Sequence, residues 1–299
     1  MKLAIIGAGI VGQATGKYFL ELWHEVIFCD SNPQILEKIR GAGQQATANI
    51  AEAVEKSDAC FVCVPTPNTQ DGEQDASFIL AVSQEIGKAL KNKNEYYLVV
   101  VKSTVLPGTT RNIALPELGK HSGKKAGIDF GLCMNPEFLT FIQSSWTSEK
   151  EMDRKPETEN RIVIGQYDEK SGDVLEKIYE KHAAPKIRTT LEEAEFAKYS
   201  SNFLLPAKIS AFNDLFLVAE AMRQQGISID TEKIAEIIKL DPRLGKYGTV
   251  HGKAYGGPCF EKDPTAFLSF AKKLGITPAT LKGVVDTNSE MEKKYGVRK

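Results

Sequence analysis

The chain has 299 residues, of which 42% are hydrophobic, and a formal net charge of −1 at pH 7. Such a chain is long enough to bury a sizeable core, which we expect to be divided between two domains. The near-neutral charge leaves no basic surplus for nucleic acid or an anionic membrane, so neither is expected as the main partner. No apolar run is long enough to span a bilayer. The scattered cysteines indicate a reducing compartment and a cytoplasmic protein. They are Cys29, Cys60, Cys63, Cys133 and Cys259.

The first predicted elements are a strand at residues 2–6 and a helix after it, joined by a glycine-rich turn. The turn has the G-x-G-x-x-G spacing, in which the first glycine permits a tight turn and the second admits a pyrophosphate. The third lets the helix pack on the strand, and the helix N-terminus favours the phosphate charge. The turn predicts a dinucleotide site formed by Gly7, Gly9, Ile10, Val11 and Gly12.

A second predicted strand, residues 25–30, ends in Asp30, 18 residues beyond Gly12. A carboxylate at this point can accept hydrogen bonds from the adenosine ribose hydroxyls and would repel a 2′-phosphate. The sequence therefore predicts NAD rather than NADP as the cofactor.

Further strands are predicted at residues 59–64, 97–101, 129–134 and 161–165, with helices between them. This alternation predicts a doubly wound, mainly parallel sheet of the Rossmann type in a domain covering residues 1–190. The pair Cys60 and Cys63 matches C-x-x-C but lies in an unbroken apolar run, so we interpret both as buried strand residues. Two loops should line the nicotinamide side at the carboxyl edge of the sheet. They contain Pro65, Thr66, Ser103 and Thr104. The polar segment 143–160 predicts a mobile surface loop.

From about Glu192 the pattern becomes helical, and strand signals fade over a second domain, residues 191–299. Lys198 and Asn202 are four apart and so share one helix face. Pro206 should kink or break this helix because proline lacks a backbone donor. An apolar stripe beyond it predicts a surface partly buried against a second subunit. It consists of Ile209, Phe212, Leu215, Phe216 and Val218.

A glycine-rich loop presents Cys259, with Lys262 and Asp263 close behind it. Taken alone, a cysteine beside glycine and proline is more often a buried turn residue than a nucleophile. Together with other motifs, however, the loop resembles the UDP-glucose and GDP-mannose dehydrogenases, and the resemblance extends from the first residue nearly to the last. The motifs are residues 7–12, 65–67, 102–110, 135–139, 198–202, 241–245 and 256–263.

The resemblance implies oxidation of a sugar C6 alcohol to a carboxylate with two NAD, and the substrate expected first is UDP-glucose, oxidised to UDP-glucuronate in polysaccharide biosynthesis. Cys259 would form a thiohemiacetal and then a thioester. Lys198 and Asn202 would stabilise the oxyanion. Asp263 would position or deprotonate water together with Thr104, and Glu137 would act as a base in thioester hydrolysis.

The resemblance also implies further binding residues and a homodimer in which Arg243 reaches the neighbouring substrate site. Lys262 would contact the cofactor. The substrate contacts would come from Phe138, Leu139, Lys198, Asn202, Arg243, Tyr255 and Gly256. The four histidines match no catalytic position and have no metal-ligand spacing, so no metal is expected.

The chain departs from the family pattern in several places. The usual carboxyl-terminal nucleotide-binding domain is expected to be missing, and Thr140-Phe141 stands where an acid and a glycine are usual. The stretch from Glu137 to Arg161 is longer than usual, Ala254 replaces a loop glycine, and Pro206 replaces a small residue. These departures affect substrate identity more than reaction type.

Two alternatives to the nucleotide-sugar dehydrogenase remain at this stage. A two-electron dehydrogenase of the β-hydroxyacid type shares this architecture and would not need Cys259. A non-catalytic, truncated NAD-binding dimer would bind the cofactor without turnover.

Overall fold

The computed structural model describes residues 1–140, 155–245, 247–257 and 259–298. These residues group into two compact units. The first unit contains Met1–Pro67, Gln74–Leu139 and residues 155–198, and the second contains Asn68–Glu73, residue 140 and residues from Tyr199 onward. The division falls within one long helix, whereas the sequence predicted domains of residues 1–190 and 191–299.

The first unit is built on one eight-stranded sheet with the order β3-β2-β1-β4-β5-β6-β7-β8. All neighbouring strands are parallel except β6 and β7, which are antiparallel. The strands are β1 Lys2–Ile6, β2 Glu25–Cys29, β3 Gln45–Thr47, β4 Ala59–Val62, β5 Tyr97–Val101, β6 Phe130–Met134, β7 Ile162–Gln166 and β8 Lys186–Thr190. The predicted mainly parallel, Rossmann-type sheet is therefore confirmed.

Helices connect the strands of the first unit. They are α1 Ile10–Glu21, α2 Pro33–Gly41, α3 Ile50–Glu55, α4 Ser77–Leu90, α5 Leu115–Ser122 and α6 Glu169–Ile178. A π-helical turn, Thr110–Ala114, precedes α5, and a 3₁₀ turn, Pro156–Thr158, precedes β7. Asn32 caps α2 through the Gln34 amide, and Pro33 occupies the first position of the helix.

Two separate groups of buried apolar residues pack in the first unit, and each takes residues from alternate positions of the same strands. In β4, for example, Cys60 belongs to one group and Phe61 to the other. The central strands are consequently continuous apolar runs, which explains why they were recognisable in the sequence. Burial raises the pKa of the Cys60 thiol to about 12, so this cysteine is a core residue. Cys63 follows β4 directly.

The second unit is helical. Helix α7, Leu191–Gln224, begins in the first unit and continues through the second, where α8 Thr231–Ile238, α9 Lys262–Lys273 and α10 Ala279–Tyr295 accompany it. Its core contains Ile209, Tyr255 and Val284. The sequence predicted a kink or a break at Pro206; the helix continues through it, so the break is wrong, and the kink stays a prediction. None of the helices among the described residues combines the length and apolar character needed to cross a membrane.

The glycines of the first turn give a test of the fold. A Cβ on Gly12 would lie 2.0 Å from the Gly7 carbonyl oxygen, whereas a Cβ on Gly9 would have no neighbour within 4 Å. We expect Gly12→Ala to lower the free energy of unfolding by about 1–3 kcal/mol, because backbone must move to relieve the overlap. The matched Gly9→Ala variant should stay within about 0.5 kcal/mol of wild type. Urea denaturation of both variants measures this, and equal stabilities would contradict the packing role of Gly12.

Candidate active site

The glycine loop after β1 has the geometry of a phosphate cradle. Gly7 has φ +93°, and a Cβ there would lie 2.7 Å from the Cys63 carbonyl oxygen, so only glycine fits. Gly9 is exposed and its Cβ position is open, so no protein contact requires a glycine there. The missing side chain instead keeps the N-terminal side of α1 accessible. These residues fit the pyrophosphate of a dinucleotide.

Asp30 lies beside this loop, immediately after β2. Its Oδ2 accepts a hydrogen bond from the Ala8 amide at 2.7 Å, and its Oδ1 accepts one from the Asn32 amide at 2.8 Å. A carboxylate has about four lone-pair positions, so two remain for ribose hydroxyls. The geometry therefore supports the role predicted for Asp30, which stays a prediction.

Two loops at the carboxyl ends of β4 and β5 are joined through hydroxyl groups. The Thr66 hydroxyl donates to the Thr104 carbonyl at 2.8 Å, and the Ser103 hydroxyl donates to the Val64 carbonyl at 2.7 Å. Thr66 and Ser103 are buried, whereas Pro65 is exposed. The structure thus brings the predicted cofactor-lining loops together at one edge of the sheet.

Glu137 and Lys198 form a buried ion pair in the first unit. The Lys198 ammonium lies 3.0 Å from Glu137 Oε1, and both side chains are at most 6% exposed. The Leu139 amide donates to Glu137 Oε2 at 2.7 Å. Burial alone would raise the pKa of the Glu137 carboxyl, but the Lys198 ammonium and the Leu139 amide outweigh it and hold that pKa below its usual range. Glu137 is therefore an ionised buried carboxylate.

Two charged residues near this pair were not recognised in the sequence. Lys102 is buried, and its ammonium donates to Asn135 Oδ1 at 3.0 Å. Glu159 is also buried and accepts a hydrogen bond from the Phe138 amide at 2.8 Å. Burial raises the pKa of the Glu159 carboxyl, while Lys102 and the Phe138 amide oppose that shift. The signal for Lys102 was its place in the motif of residues 102–110.

Glu159 corrects part of the predicted surface loop. Most of segment 143–160 lies outside the described residues, but its end forms the turn Pro156–Thr158 and then places Glu159 among buried groups. The surrounding sequence is polar, so hydropathy gives no sign that one carboxylate turns inward to bond a backbone amide.

Two cations lie close to the ring of Phe138. The Lys198 ammonium is 5.4 Å from the ring centroid, and the Arg161 guanidinium carbon is 3.8 Å from it. Cations over an aromatic face are stabilised by the ring quadrupole. Phe138 and Leu139, both predicted to bind substrate, are only partly buried, so the turn after Glu137 presents a surface to a ligand.

In the second unit, Asp263 is the centre of a separate polar cluster. It is 1% exposed, and Asn202 Nδ2 donates to its Oδ2 at 2.7 Å while the Lys262 ammonium donates to its Oδ1 at 2.6 Å. Its amide donates to the Cys259 carbonyl at 2.8 Å. Both carboxylate oxygens are thus held, and the first turn of α9 is tied to the loop that carries the thiol.

Cys259 lies three residues before α9 and is partly exposed. A position just before a helix N-terminus favours a thiolate, because the helix dipole and the unpaired amides stabilise negative charge. The Lys262 ammonium lies 2.6 Å from Asp263 Oδ1, and the cofactor contact predicted for Lys262 stays a prediction.

Lys198 and Asn202 lie on α7 one turn apart, as the spacing predicted. Each donates to a carboxylate, Lys198 to Glu137 and Asn202 to Asp263. Pro206 has no N–H, so it cannot donate to the Asn202 carbonyl four residues before it. The predicted oxyanion role of the two side chains stays a prediction.

The remaining predicted substrate residues are in the second unit. The Arg243 side chain is 87% exposed and pairs with Asp241 at 2.6 Å. Tyr255 is 2% exposed, and both its backbone groups bond the Asn288 side chain, while the substrate contact predicted for it stays a prediction. A Cβ on Gly256 would lie 2.6 Å from the Val297 side chain, so packing alone requires that glycine.

Comparisons with known proteins decide the family. The NAD-binding domain model of the UDP-glucose/GDP-mannose dehydrogenase family matches residues 37–183, and its central domain model matches residues 192–290. The chain belongs to this family. It is an NAD-dependent oxidoreductase acting on a CH–OH group, which confirms the predicted family, enzyme class and cofactor.

Several relatives of known name are similar over almost the whole chain. GDP-mannose 6-dehydrogenase of Pseudomonas aeruginosa is 36% identical over 316 residues, which cover 98% of this chain and 70% of that protein. UDP-glucose 6-dehydrogenase AglM of Haloferax volcanii is 31% identical, over 96% of this chain and 69% of that protein. Among solved structures, a UDP-glucose dehydrogenase from Pyrobaculum islandicum has a TM-score of 0.85 and 32% identity, over 98% of this chain and 68% of that one.

The buried pair gives a prediction about stability. Lys198→Met leaves the Glu137 charge buried without its cation, so we expect the free energy of unfolding at pH 7 to fall by about 3–5 kcal/mol. Adding Glu137→Gln should restore much of this loss, because the double variant buries no charge. Equilibrium denaturation of the single and double variants is the measurement.

The pH dependence of the free energy of unfolding is the control for this prediction. In wild type the pKa of Glu137 is lowered, so its contribution is complete above the ordinary carboxyl pKa and is lost as pH falls through the folded-state pKa. In Lys198→Met, burial should raise that pKa, so the variant should approach wild-type stability as pH falls from 7 to 5. If the loss of unfolding free energy in Lys198→Met does not change with pH, the interpretation of Glu137 and Lys198 as an ionised pair is wrong.

Proposed function

We propose that the protein is a nucleotide-sugar 6-dehydrogenase that oxidises a C6 alcohol to a carboxylate through a thioester on Cys259. The observation that carries the proposal is the partly exposed thiol just before α9, whose first turn holds the fixed carboxylate of Asp263. An enzyme that removed only two electrons would have no use for this thiol. NAD, when bound at the glycine loop, supplies the hydride acceptor for both oxidations.

In the first oxidation the sugar C6 loses a hydride and its hydroxyl oxygen loses a proton, giving an aldehyde. Asp263 receives the proton through a water molecule that Thr104 helps to position. The carboxylate suits this task because Asn202 and Lys262 hold it in one orientation.

The Cys259 thiolate then adds to the aldehyde carbon, and the C=O π electrons move to the oxygen. Lys198 and Asn202 stabilise this developing oxyanion, and proton uptake gives the thiohemiacetal. Loss of a second hydride from C6 and of the hydroxyl proton produces the thioester. Because the aldehyde stays covalently bound, it does not leave before the second oxidation.

Hydrolysis completes the reaction. Glu137 takes a proton from water, the oxygen attacks the thioester carbon, and the C–S bond breaks to release the Cys259 thiolate and a carboxylic acid, which gives its proton to solvent and becomes the carboxylate. The ion pair with Lys198 supports this role in one respect, since it keeps a deeply buried carboxylate unprotonated and so able to accept a proton.

The substrate is a nucleotide sugar with a free C6 hydroxyl. UDP-glucose, converted to UDP-glucuronate for polysaccharide synthesis in the cytoplasm, is the substrate that we propose to test first. GDP-mannose is the second candidate, because the similar relatives include GDP-mannose 6-dehydrogenases as well as UDP-glucose 6-dehydrogenases.

Counting NADH per sugar tests the mechanism. Purified protein is incubated with NAD and with UDP-glucose, GDP-mannose or a UDP-N-acetylhexosamine, separately, and the sugar product is identified by mass spectrometry. We expect two NADH per sugar consumed with one of these substrates. Cys259→Ser should stop before the carboxylate, because a hydroxyl is a far weaker nucleophile than a thiolate. One NADH per sugar in wild type would overturn the thioester route in favour of a two-electron dehydrogenase.

Binding without turnover is the remaining outcome of that experiment. If the protein binds NADH in a fluorescence titration but oxidises none of the three sugars, the chain is the non-catalytic NAD-binding protein. Cys63→Ser is the matched control for the cysteine substitution, since Cys63 follows a strand in the first unit and has no role in the mechanism. It should retain wild-type stoichiometry.

We also propose a homodimer whose interface includes apolar side chains of α7 and α8. Leu215 and Val218, predicted for this surface, are 53% and 58% exposed in the single chain. Ile209 and Phe212 from the same prediction are buried within their own unit, so they belong to its core instead. Further exposed apolar residues that support the interface are Leu204, Ile234, Ile237, Leu240 and Leu244.

A mixing experiment tests the predicted reach of Arg243 into the neighbouring site. Arg243→Ala and Cys259→Ser homodimers should each be inactive. If Arg243 acts across the dimer, a mixed dimer has one site with both defects and one with neither, so exchanging subunits should restore up to half of wild-type activity per mixed dimer. No recovery, with subunit exchange verified by native mass spectrometry, would place Arg243 in the site of its own chain.

A further inference from the structure

A buried carboxylate outside the residues already assigned binds the loop that follows β5. Glu195 is 0% exposed on α7. One of its oxygens accepts a hydrogen bond from the Gly108 amide at 2.6 Å, and the other accepts one from the Thr110 amide at 2.8 Å. Backbone amides bonded to an ionised carboxylate make short, strong hydrogen bonds. The carboxylate therefore holds two points of one loop.

The charged groups around Glu195 do not neutralise it. Among the described residues Glu195 has no cation within 4 Å, and Arg111, which follows Thr110, pairs with Glu192 instead. Arg111 also lies over the Tyr167 ring. Burial raises the pKa of Glu195 to about 7, against the bonds from Thr110 and Gly108, and the Glu192 charge adds to the increase. The buried carboxylate of Glu195 is thus stabilised by the two backbone amides rather than by an ion pair.

The contact between Glu195 and the loop connects two parts of the candidate site. The loop that Glu195 holds follows β5 and contains Ser103 and Thr104. On α7, Lys198 is three residues beyond Glu195 and so lies on the next turn of the same face. Fixing the turn at Glu195 consequently fixes the direction from which the Lys198 ammonium approaches Glu137.

We propose that Glu195 is a positioning residue, whose ionised carboxylate binds the Gly108 and Thr110 amides and thereby holds Lys198 in its catalytic position. The catalytic part of this inference rests on the proposed function. The contact of Glu195 with the two amides does not rest on the proposed function.

Protonation should weaken the contact. A carboxylic acid keeps one good acceptor, its carbonyl oxygen, while the protonated oxygen accepts poorly, so one of the two amides loses its partner. A glutamine resembles this state and adds a repulsive contact, because its NH₂ group faces an amide N–H. Glu195→Gln should still fold, since it removes a buried charge and retains one acceptor.

Hydrogen exchange tests the contact without any activity. The exchange of residues 105–112 is followed by mass spectrometry between pH 6 and 8 and corrected for the intrinsic effect of pH. In wild type we expect exchange at pH 6 to be about tenfold faster than at pH 8, because a strong hydrogen bond to the loop is lost. Glu195→Gln should exchange fast at both pH values. Glu193→Gln, an exposed carboxylate on the same turn, is the matched control and should behave as wild type. Slow exchange in Glu195→Gln would overturn the contact.

The pH profile tests the positioning role. Wild-type kcat should fall as pH decreases through about 7, whereas Glu195→Gln should have a kcat about tenfold lower at pH 8 and should lack this decline, since misplacing a catalytic group costs rate. A Glu195→Gln enzyme with the wild-type kcat and profile would overturn the positioning role. If wild type oxidises no sugar, the proposed function fails, and the exchange experiment alone decides whether Glu195 holds the loop.

Discussion

The buried charge of Glu137 is the constraint on which the rest of the candidate site depends. An ionised carboxylate removed from water costs several kcal/mol unless cations and hydrogen bonds replace the lost hydration. The Lys198 ammonium and the Leu139 amide supply these partners. Either charge alone would be unstable when buried, so the end of β6 and the start of α7 must be placed so that the two charges meet. The cost of desolvation is met during folding, and the reacting groups are ordered before a substrate arrives.

The same principle applies in the second unit, with weaker charge compensation. Asp263 is nearly inaccessible, but its partners are a neutral amide from Asn202 and the partly exposed ammonium of Lys262. In both clusters the predicted oxyanion donors are already bonded to carboxylates. A developing substrate oxyanion would have to compete with those carboxylates for the donors. Protonation of the carboxylate would release its donor, which couples proton transfer to oxyanion stabilisation.

The parts of the fold that the sequence predicted share one property, which is that local chemistry determines them. The glycine turn is an example, since Gly7 needs a positive φ and Gly12 has no space for a Cβ. The buried central strands were also recognisable, because a strand covered on both faces is apolar throughout. Strand β3 has only three residues and β8 is a half-exposed edge strand, so neither gives an apolar run. The antiparallel pairing of β7 depends on how a distant segment returns to the sheet.

The sequence indicates a candidate site residue where a motif contains it. It does not indicate which side chain that residue contacts, because tertiary structure determines the contact. The motifs selected Cys259, Asp263 and Lys198 as candidate site residues, whose catalytic roles stay predictions, but they did not indicate the pairing of Lys198 with Glu137. Glu195 and Glu159 were missed for a different reason. Each lies in a polar stretch where a glutamate predicts an exposed side chain, and each turns inward to accept hydrogen bonds from backbone amides. No hydropathy pattern distinguishes an acid of this kind from its exposed neighbours.

The residues proposed to carry out the reaction and the residues expected to select the substrate lie in different kinds of structure. The groups proposed for chemistry lie on or next to regular elements, with Glu137 after β6, Lys198 on α7 and Asp263 at the start of α9. Such positions are fixed by the hydrogen bonding of the whole element and tolerate change elsewhere. The sequence departs from the family pattern mainly between Glu137 and Arg161, where Thr140-Phe141 replaces an acid and a glycine. Replacing a charged group with a hydroxyl and an aromatic ring changes which sugar hydroxyls a site can bond, but not how hydride leaves C6. The chain can therefore retain the oxidation chemistry of its family while differing in the hexose that it accepts.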